Sequence, residues 1–252
     1  MIFYFSATGN SLYTAQRLAA ATGESLCSIT ACMQSGQLDF TISKDEMLGF
    51  VHPTFFYGLP KIVLEFIRKA QFHVDAQPYV FHVLTMGGSS GGAGDMFRRE
   101  MAAKGIQTSA SFAVVLPDTW TPMFDLSNTA KNLRIVEAAE PVIDDIIAKV
   151  TAHTAGDFDK RKGFWRIFSK ATYAAYQKQN TSKFFVSDAC VGCGKCAEQC
   201  PDKAIEMQNG KPVWIHPHCN FCLGCLHQCP AFAIQFGNNT KKHGQWSHPK
   251  CK

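Results

Sequence analysis

Cys190-Val-Gly-Cys193-Gly-Lys-Cys196-Ala-Glu-Gln-Cys200-Pro201 and Cys219-Asn-Phe-Cys222-Leu-Gly-Cys225-Leu-His-Gln-Cys229-Pro230 are two copies of one spacing, C-x2-C-x2-C-x3-C-P. Three thiolates at intervals of three on a tightly wound loop reach three corners of a cubic iron–sulfur cluster, so the fourth must come from elsewhere. In each run the last Cys follows a short helical turn that carries its sulfur away from its own loop, and the proline behind it stops that turn. The reading therefore crosses the ligands. Cys190, Cys193, Cys196 and Cys229 are expected to hold one [4Fe-4S] cluster, and Cys219, Cys222, Cys225 and Cys200 the other. Zinc is disfavoured, because its four ligands usually come as two separated pairs rather than as three consecutive intervals with a fourth Cys and Pro.

Eight of the chain's 11 cysteines lie in these runs, and only Cys27, Cys32 and Cys251 fall outside. So uneven a distribution marks a separate cysteine-built unit at the C-terminal end of a 252-residue chain. The first residues, Met-Ile-Phe-Tyr-Phe, show no basic n-region, apolar h-region or cleavage site, and no apolar stretch approaches the roughly 20 residues that span a bilayer. Thiols in such a chain are expected to stay reduced rather than form a disulfide framework, so the reading is a cytoplasmic protein with no transmembrane segment. Around the runs, residues 184–236 resemble a two-cluster bacterial ferredoxin. The resemblance includes Phe184-Phe185-Val186 before the first run, Ala204-Ile205 and Ala233-Ile234 after the prolines, and Lys211-Pro-Val-Trp214 between them. It implies short hairpin strands around the clusters.

Residues 1 to 150 alternate short apolar runs with helical patterns, as a parallel sheet covered on both faces requires. Strands are expected at Ile2-Phe5, Ser25-Ile29, Met47-Val51, Tyr79-Thr85 and Thr108-Val115. Helices are expected near Ser11-Ala21, Pro60-Ala70, Gly94-Lys104 and Ala130-Val150, with Pro60 in a first turn and Pro141 kinking the last. The first strand ends in Ser6-Ala-Thr8-Gly9-Asn10-Ser11, which offers hydroxyls, Asn10 and free backbone N–H groups at the positive end of a helix, a setting for a phosphate without a cation. Two more loops follow later strands: Pro53-Thr54-Phe55-Phe56-Tyr57-Gly58-Leu-Pro60 and Thr85-Met86-Gly87-Gly88-Ser-Ser-Gly91-Gly92. In a doubly wound sheet of order 2-1-3-4-5 they flank the switch point beside strand one, where a flavin binds.

The first loop resembles the FMN-phosphate loop of flavodoxins, hydroxyl-x-Thr-Gly-Asn-hydroxyl. On that resemblance the glycines let N–H groups approach the ring edge, and Phe55, Phe56 or Tyr57 stacks on a face. Small flavodoxins carry a stacking aromatic in the fourth-strand loop. Residues 85 to 94 have none, which leaves one flavin face open to a substrate or a cluster. Trp120 and Phe124 read either as a lid or as packing, and His52 and Asp118 are weak candidates for acid–base roles.

Between the two units, Lys160 to Lys183 holds seven Lys or Arg and no acid, interleaved with Phe164, Trp165, Phe168, Tyr173 and Tyr176. An amphipathic connector whose aromatic side packs on the domains is preferred over a membrane-surface or partner-docking helix. The domains are expected at 1–155 for the flavodoxin-like FMN domain, 156–182 for the basic aromatic helical linker and 183–252 for the ferredoxin-like domain. The fold class is α/β, a doubly wound five-stranded parallel sheet with a small α+β second domain.

The whole resembles the flavodoxin/ferredoxin fusion family of anaerobic bacteria. It implies FMN, two [4Fe-4S] clusters and intramolecular electron transfer that converts between one-electron carriers and a two-electron partner. The alternative is a cluster-fed flavin-dependent reductase of a small organic substrate at the open flavin face. Partners are expected to be redox proteins, a ferredoxin-type donor or reductase, or a small-molecule acceptor. Nucleic acid is not expected: the formal charge of +5 is cancelled by about −2 from each oxidised cluster with its thiolates and up to about −2 from the FMN phosphate.

Overall fold

The computed structural model describes residues 1–74, 76–160 and 164–251. The N-terminal unit runs β1 (Ile2–Tyr4), α1 (Asn10–Thr22), β2 (Leu26–Ser28), α2 (Ile29–Ser35), β3 (Asp39–Ile42), β4 (Leu48–Pro53), α3 (Lys61–Lys69), β5 (Gln71–Val74), β6 (Val80–Met86), α4 (Ala93–Ala102), β7 (Ala110–Val115), α5 (Thr129–Thr151) and β8 (Gly156–Asp157). Its main sheet is parallel, with order β2-β1-β4-β6-β7-β8. The five expected strands are all present in the order 2-1-3-4-5, and the two-residue β8 adds a sixth at the edge. Every residue of β6 is buried, as a central parallel strand covered on both faces must be.

Two apolar layers cover the sheet. On one face Ile2, Val51, Val83 and Phe112 meet Leu18 of α1 and Ile143, Ile146 and Val150 of α5. On the other, Phe3 and Phe50 meet Ile62, Phe66 and Ile67 of α3 and Phe97 of α4. The short parallel pair β3-β5 extends the second layer, with Phe40 and Phe72 ringed around Phe3. Pro60 is the N-cap of α3 rather than part of its first turn, and α5 is assigned as one helix through Pro141.

A helix α6 (Trp165–Gln177) leads to the C-terminal unit, built from β9 (Phe184–Val186), α7 (Lys195–Glu198), β10 (Ile205–Gln208), β11 (Lys211–Trp214), α8 (Gly224–His227), β12 (Ile234–Phe236) and α9 (Thr240–His243). β9 pairs antiparallel with β12 and β10 with β11, the hairpin strands the resemblance implies. The inner side of α6 is the connector expected: Tyr173 and Tyr176 are buried against Phe221, Leu223 and Leu226 of the C-terminal unit and Phe55 and Phe56 of the N-terminal one. Phe164 and Phe168, expected on the packed aromatic side, are exposed, as is Ile167, so the packing is carried by Tyr173 and Tyr176. Arg161, Lys162 and the side chain of Trp165, which belong to the same reading, lie outside the described residues.

The two halves of the C-terminal unit repeat in backbone as well as in cysteines. Gly192 (φ 67°), Gly194 (φ 75°) and Lys203 (φ 48°) in the first correspond to Phe221 (φ 52°), Leu223 (φ 55°) and Phe232 (φ 48°) in the second. The loop wound around each cysteine triplet demands left-handed turns at these places, and the second half makes two of them with bulky apolar residues where the first uses glycine.

Candidate functional site

The loop after β1 turns at Gly9, whose φ of 89° and position before α1 exclude a side chain: a Cβ there would stand 2.9 Å from Cβ of His248. The Gly9 N–H donates to Ser6 Oγ at 3.1 Å. The side chains of Asn10 and Ser11, residues expected at a phosphate, also pin the loop. Asn10 Nδ2 donates to the Pro117 carbonyl beyond β7, its Oδ1 accepts from Trp246 Nε1, and Ser11 Oγ shares a hydrogen bond with Thr85 Oγ1 at the end of β6. Thr8 is buried beside them, and its carbonyl accepts from the His248 N–H. The C-terminal tail, absent from the sequence-based reading of this loop, thus braces it from outside.

The second loop leaves β4 at Pro53. The Thr54 N–H donates to the Thr85 carbonyl at 2.9 Å, and a tight turn closes between Phe55 and Gly58, with Phe56 and Tyr57 at positive φ. Phe55 meets Phe5 and Tyr176 edge-on, and Phe56 stacks on Tyr176 at 5.1 Å while its ring meets Trp120 edge-on at 4.9 Å. Two of the aromatics proposed to stack on a flavin are therefore turned into the aromatic layer between the units. Trp120 belongs to that layer too, facing Phe221 and Phe236, whereas Phe124 is exposed. In the third loop, after Met86, Gly87 and Gly88 are exposed and the Gly92 N–H donates to the Tyr57 carbonyl. A Cβ on Gly87 would stand 2.3 Å from Asp118 Oδ2, and one on Gly91 2.3 Å from Tyr57 Cβ, so the third loop closes on the second and on the stretch after β7.

These loops suit an FMN in two respects. The first N–H groups of α1 have no partner within the helix, and Thr54 Oγ1 is a buried hydroxyl without a partner among the described residues. His52 lies apart, fully buried in β4 beside His82 and Phe97, and burial holds its pKa down at about 4.

The cysteines lie in one part of the C-terminal unit, and the last Cys of each run lies near the other run's triplet. Cys190, Cys193, Cys196 and Cys229 line one small cavity, walled by Val191, Lys195, Met207, Pro212 and Ile234 of the C-terminal unit. Cys219, Cys222 and Cys225 lie near Cys200, and Cys225 near Cys196 as well, so that each thiolate would oppose its neighbours' ionisation. Desolvation, the larger effect, pushes the Cys219 thiol up to about 12 and those of Cys222 and Cys225 well above the ordinary range. Coordination to iron, which deprotonates a thiol outright, removes that cost. Backbone N–H groups already point at the sulfurs, from Ala204 to Cys200, Phe221 to Cys219 and Ala233 to Cys229, each at 3.3 Å. Among the described residues no three His, Cys, Asp or Glu side chains converge on a point for a single metal ion.

Among the described residues the second group adjoins the N-terminal unit closely. Gly224, between Cys222 and Cys225, faces the first loop: a Cβ on it would stand 3.6 Å from both Ala7 Cβ and Cys222 Sγ. The Gln228 side chain donates to the Ala7 carbonyl, Lys61 Nζ to the Cys219 carbonyl, and Gln34 to the carbonyls of Cys200 and Pro201. Asn220 Oδ1 caps α3 through the Ile62 N–H at 2.7 Å, and its carbonyl accepts from Tyr176 OH at 2.8 Å. His227 is locked as a neutral ring by two bonds, with Nε2 on the Thr119 carbonyl and Nδ1 accepting from the Trp246 N–H. An interdomain cavity of about 360 Å³ remains beside Ser6, Ala7, Thr30, Gln34, Gln199 and Cys222.

Comparison with known proteins agrees with this division. Residues 1–137 match the family described as a flavodoxin domain, and residues 182–230 the family described as a 4Fe-4S dicluster domain. No curated protein matches the chain. Among solved structures, the Trp repressor binding protein from Bacillus subtilis is 10% identical with a TM-score of 0.35, over 55% of this chain and 95% of its own. The rubredoxin oxygen:oxidoreductase of the anaerobe Desulfovibrio gigas is 19% identical with a TM-score of 0.30, over 59% of this chain and 36% of its own.

Proposed function

The chain belongs to the flavodoxin domain family and continues into a 4Fe-4S dicluster domain, which makes it an iron–sulfur flavoprotein of electron transport, and on that premise we propose that it passes electrons internally between two [4Fe-4S] clusters and one FMN. The observation that carries this reading is the seating of the second cysteine group on the first loop, through Gly224, Gln228 and Ala7. Electron transfer needs the centres close and held. The contacts from Asn220, Tyr176 and His227 supply the holding.

In this reading Cys190, Cys193, Cys196 and Cys229 hold one cluster, Cys219, Cys222, Cys225 and Cys200 the other, and the loops at Ser6–Ser11, Pro53–Gly58 and Thr85–Gly92 hold FMN. Clusters exchange one electron at a time and a flavin one or two, so the bound groups supply conversion between one-electron and two-electron partners. The chain's own residues orient and exclude. The N-terminal N–H groups of α1 receive the phosphate, Asn10 and Ser11 fix that loop against β6 and β7, and Phe221 and Leu223 keep water from between the units. No helix among the described residues is long and apolar enough to cross a membrane.

Protein purified without oxygen should carry about eight irons, about eight sulfides and one FMN per chain, since each cube holds four irons. Iron near half that content, or no flavin when riboflavin is plentiful, contradicts the corresponding half of the reading. The exposure of Gly87 and Gly88 favours a second reading, in which the open flavin face also reduces a small organic molecule. Turnover of the loaded protein against a panel of metabolites would detect it.

A further inference from the structure

The two cysteine groups are built alike but set differently, and the difference follows the repeat position by position. Val191 is 70% exposed, whereas its counterpart Asn220 is 3% exposed and bonded to α3 and α6. Gly192 and Gly194 make bare turns, whereas their counterparts Phe221 and Leu223 fill the aromatic layer against the N-terminal unit. Glu198 and Gln199 only line the interdomain cavity, whereas their counterparts His227 and Gln228 bond to Thr119 and Ala7 across the interface. Cys193 is exposed. The first cavity is walled by the C-terminal unit, whereas Cys222 lines a cavity shared with Ser6 and Ala7.

From this asymmetry we infer a direction. The cluster held by Cys190, Cys193, Cys196 and Cys229 is the port at which an external one-electron carrier exchanges electrons, and the cluster held by Cys219, Cys222, Cys225 and Cys200 is the relay to the flavin. The inference rests on the two-cluster flavoprotein reading above. In each passage the carrier is oxidised by one electron and the port cluster reduced by one. The electron then moves to the relay and on to the flavin, restoring both clusters. Two passages, with two protons from solvent, complete the two-electron reduction of FMN.

Proximity explains why the roles do not interchange. A carrier can approach Val191 and Cys193 directly, but the relay loop is covered by the N-terminal unit, α6 and the tail. The left-handed conformations of Phe221 and Leu223 point the same way: side chains replace glycine only where the loop has a protein surface to fill.

The test uses the full-length protein with both clusters and FMN. Iron, sulfide and flavin contents are measured first, so that a missing cluster or flavin defeats the underlying reading and not the assignment of roles. The two reduced-cluster signals are then compared in electron paramagnetic resonance with and without a soluble gadolinium chelate, and the coupling of each to a one-electron-reduced flavin is measured. The signal whose relaxation the chelate quickens severalfold should be the one with the weaker flavin coupling. Cys193→Ser should alter that signal, and Cys222→Ser the shielded, strongly coupled one. If one variant does not fold, the other still assigns both signals, and a Cys193→Ser effect on the shielded signal, or a Cys222→Ser effect on the chelate-sensitive one, would overturn the inference. With both clusters present, strong flavin coupling on the chelate-sensitive signal, or equal chelate response of the two, would overturn the inference.

Discussion

Phe221 and Leu223 show how a residue choice can be locally costly and still favoured. A left-handed turn costs a residue with a Cβ about 1–2 kcal/mol, whereas burying a Phe or Leu side chain contributes about 1.5–3 kcal/mol. The balance favours the side chain only while the interface exists. Phe221→Gly should therefore lose the layer but relieve the turn, and Phe221→Ala should lose the layer and keep the strain at φ 52°. The expected order of urea midpoints is wild type, then Phe221→Gly, then Phe221→Ala, the reverse of the usual penalty for Gly against Ala. A lower midpoint for Phe221→Gly than for Phe221→Ala would show that the turn stores no strain. At Gly9 the sign is plain: Gly9→Ala meets both a φ of 89° and His248, so it should displace the tail and weaken FMN binding, measured by flavin fluorescence on titration. Affinity equal to wild type would contradict the proposed phosphate loop.

The cysteines and the Ser6–Ser11 loop were legible in the sequence because their spacing is set by local geometry. The role of Asn10 was not, since its partner Trp246 lies in a tail that has no periodicity and is distant in sequence.

Among the elements, those with a strong period were readable and those without it were not. The Ile62, Val63, Phe66 and Ile67 stripe announces α3, and the mostly apolar run Val80-Phe81-His82-Val83-Leu84 announces β6. β3 and β5 are four-residue strands, and β8 has two residues held only by β7, too short for any pattern to rise above its surroundings. α6 was readable as a brace, and its inner hydroxyl makes a test. Tyr176 OH donates to the Asn220 carbonyl and accepts from the Lys61 N–H, so Tyr176→Phe leaves both without that partner. The loss should be about 1–3 kcal/mol, read as a lower denaturant midpoint with unchanged iron content. An unchanged midpoint would remove α6 from the contacts that hold the units together.

The tail's own anchor is ionic. Although burial opposes it, hydrogen bonds from Lys250, Tyr13 and Arg17 hold the Glu140 carboxyl down at about 2. A carboxyl with a depressed folded pKa contributes stability in full above its unfolded pKa of about 4.3 and loses it as pH falls towards the folded value. The tail should therefore become more accessible to an acid-active protease between about pH 4 and pH 2. Glu140→Gln should show that accessibility already at neutral pH. Equal protection of the two proteins at pH 7 would contradict this anchor.

At the scale of the molecule, the contacts of Asn220, Gln228, His227 and Tyr176 make the units one assembly rather than two domains on a tether. The arrangement suits a chain that joins an iron–sulfur and a flavodoxin domain: in the proposed function, a fixed interface would keep the path between centres constant from one passage to the next. The sequence indicated both units and their order in the chain. It did not indicate which cysteine group faces the flavin loops, because that depends on how Ala7, Gly224 and Gln228 meet, and no local pattern encodes the meeting of surfaces remote in sequence.

The claim of internal transfer is tested most directly by following FMN absorbance in a stopped-flow instrument after the clusters of the fully loaded protein are rapidly reduced by a low-potential donor. The account predicts a flavin reduction rate that does not change as protein concentration is raised at a fixed ratio of donor to protein, once the donor step is no longer limiting. A rate that rises in proportion to protein concentration under those conditions would mean that electrons pass between molecules, and would contradict it.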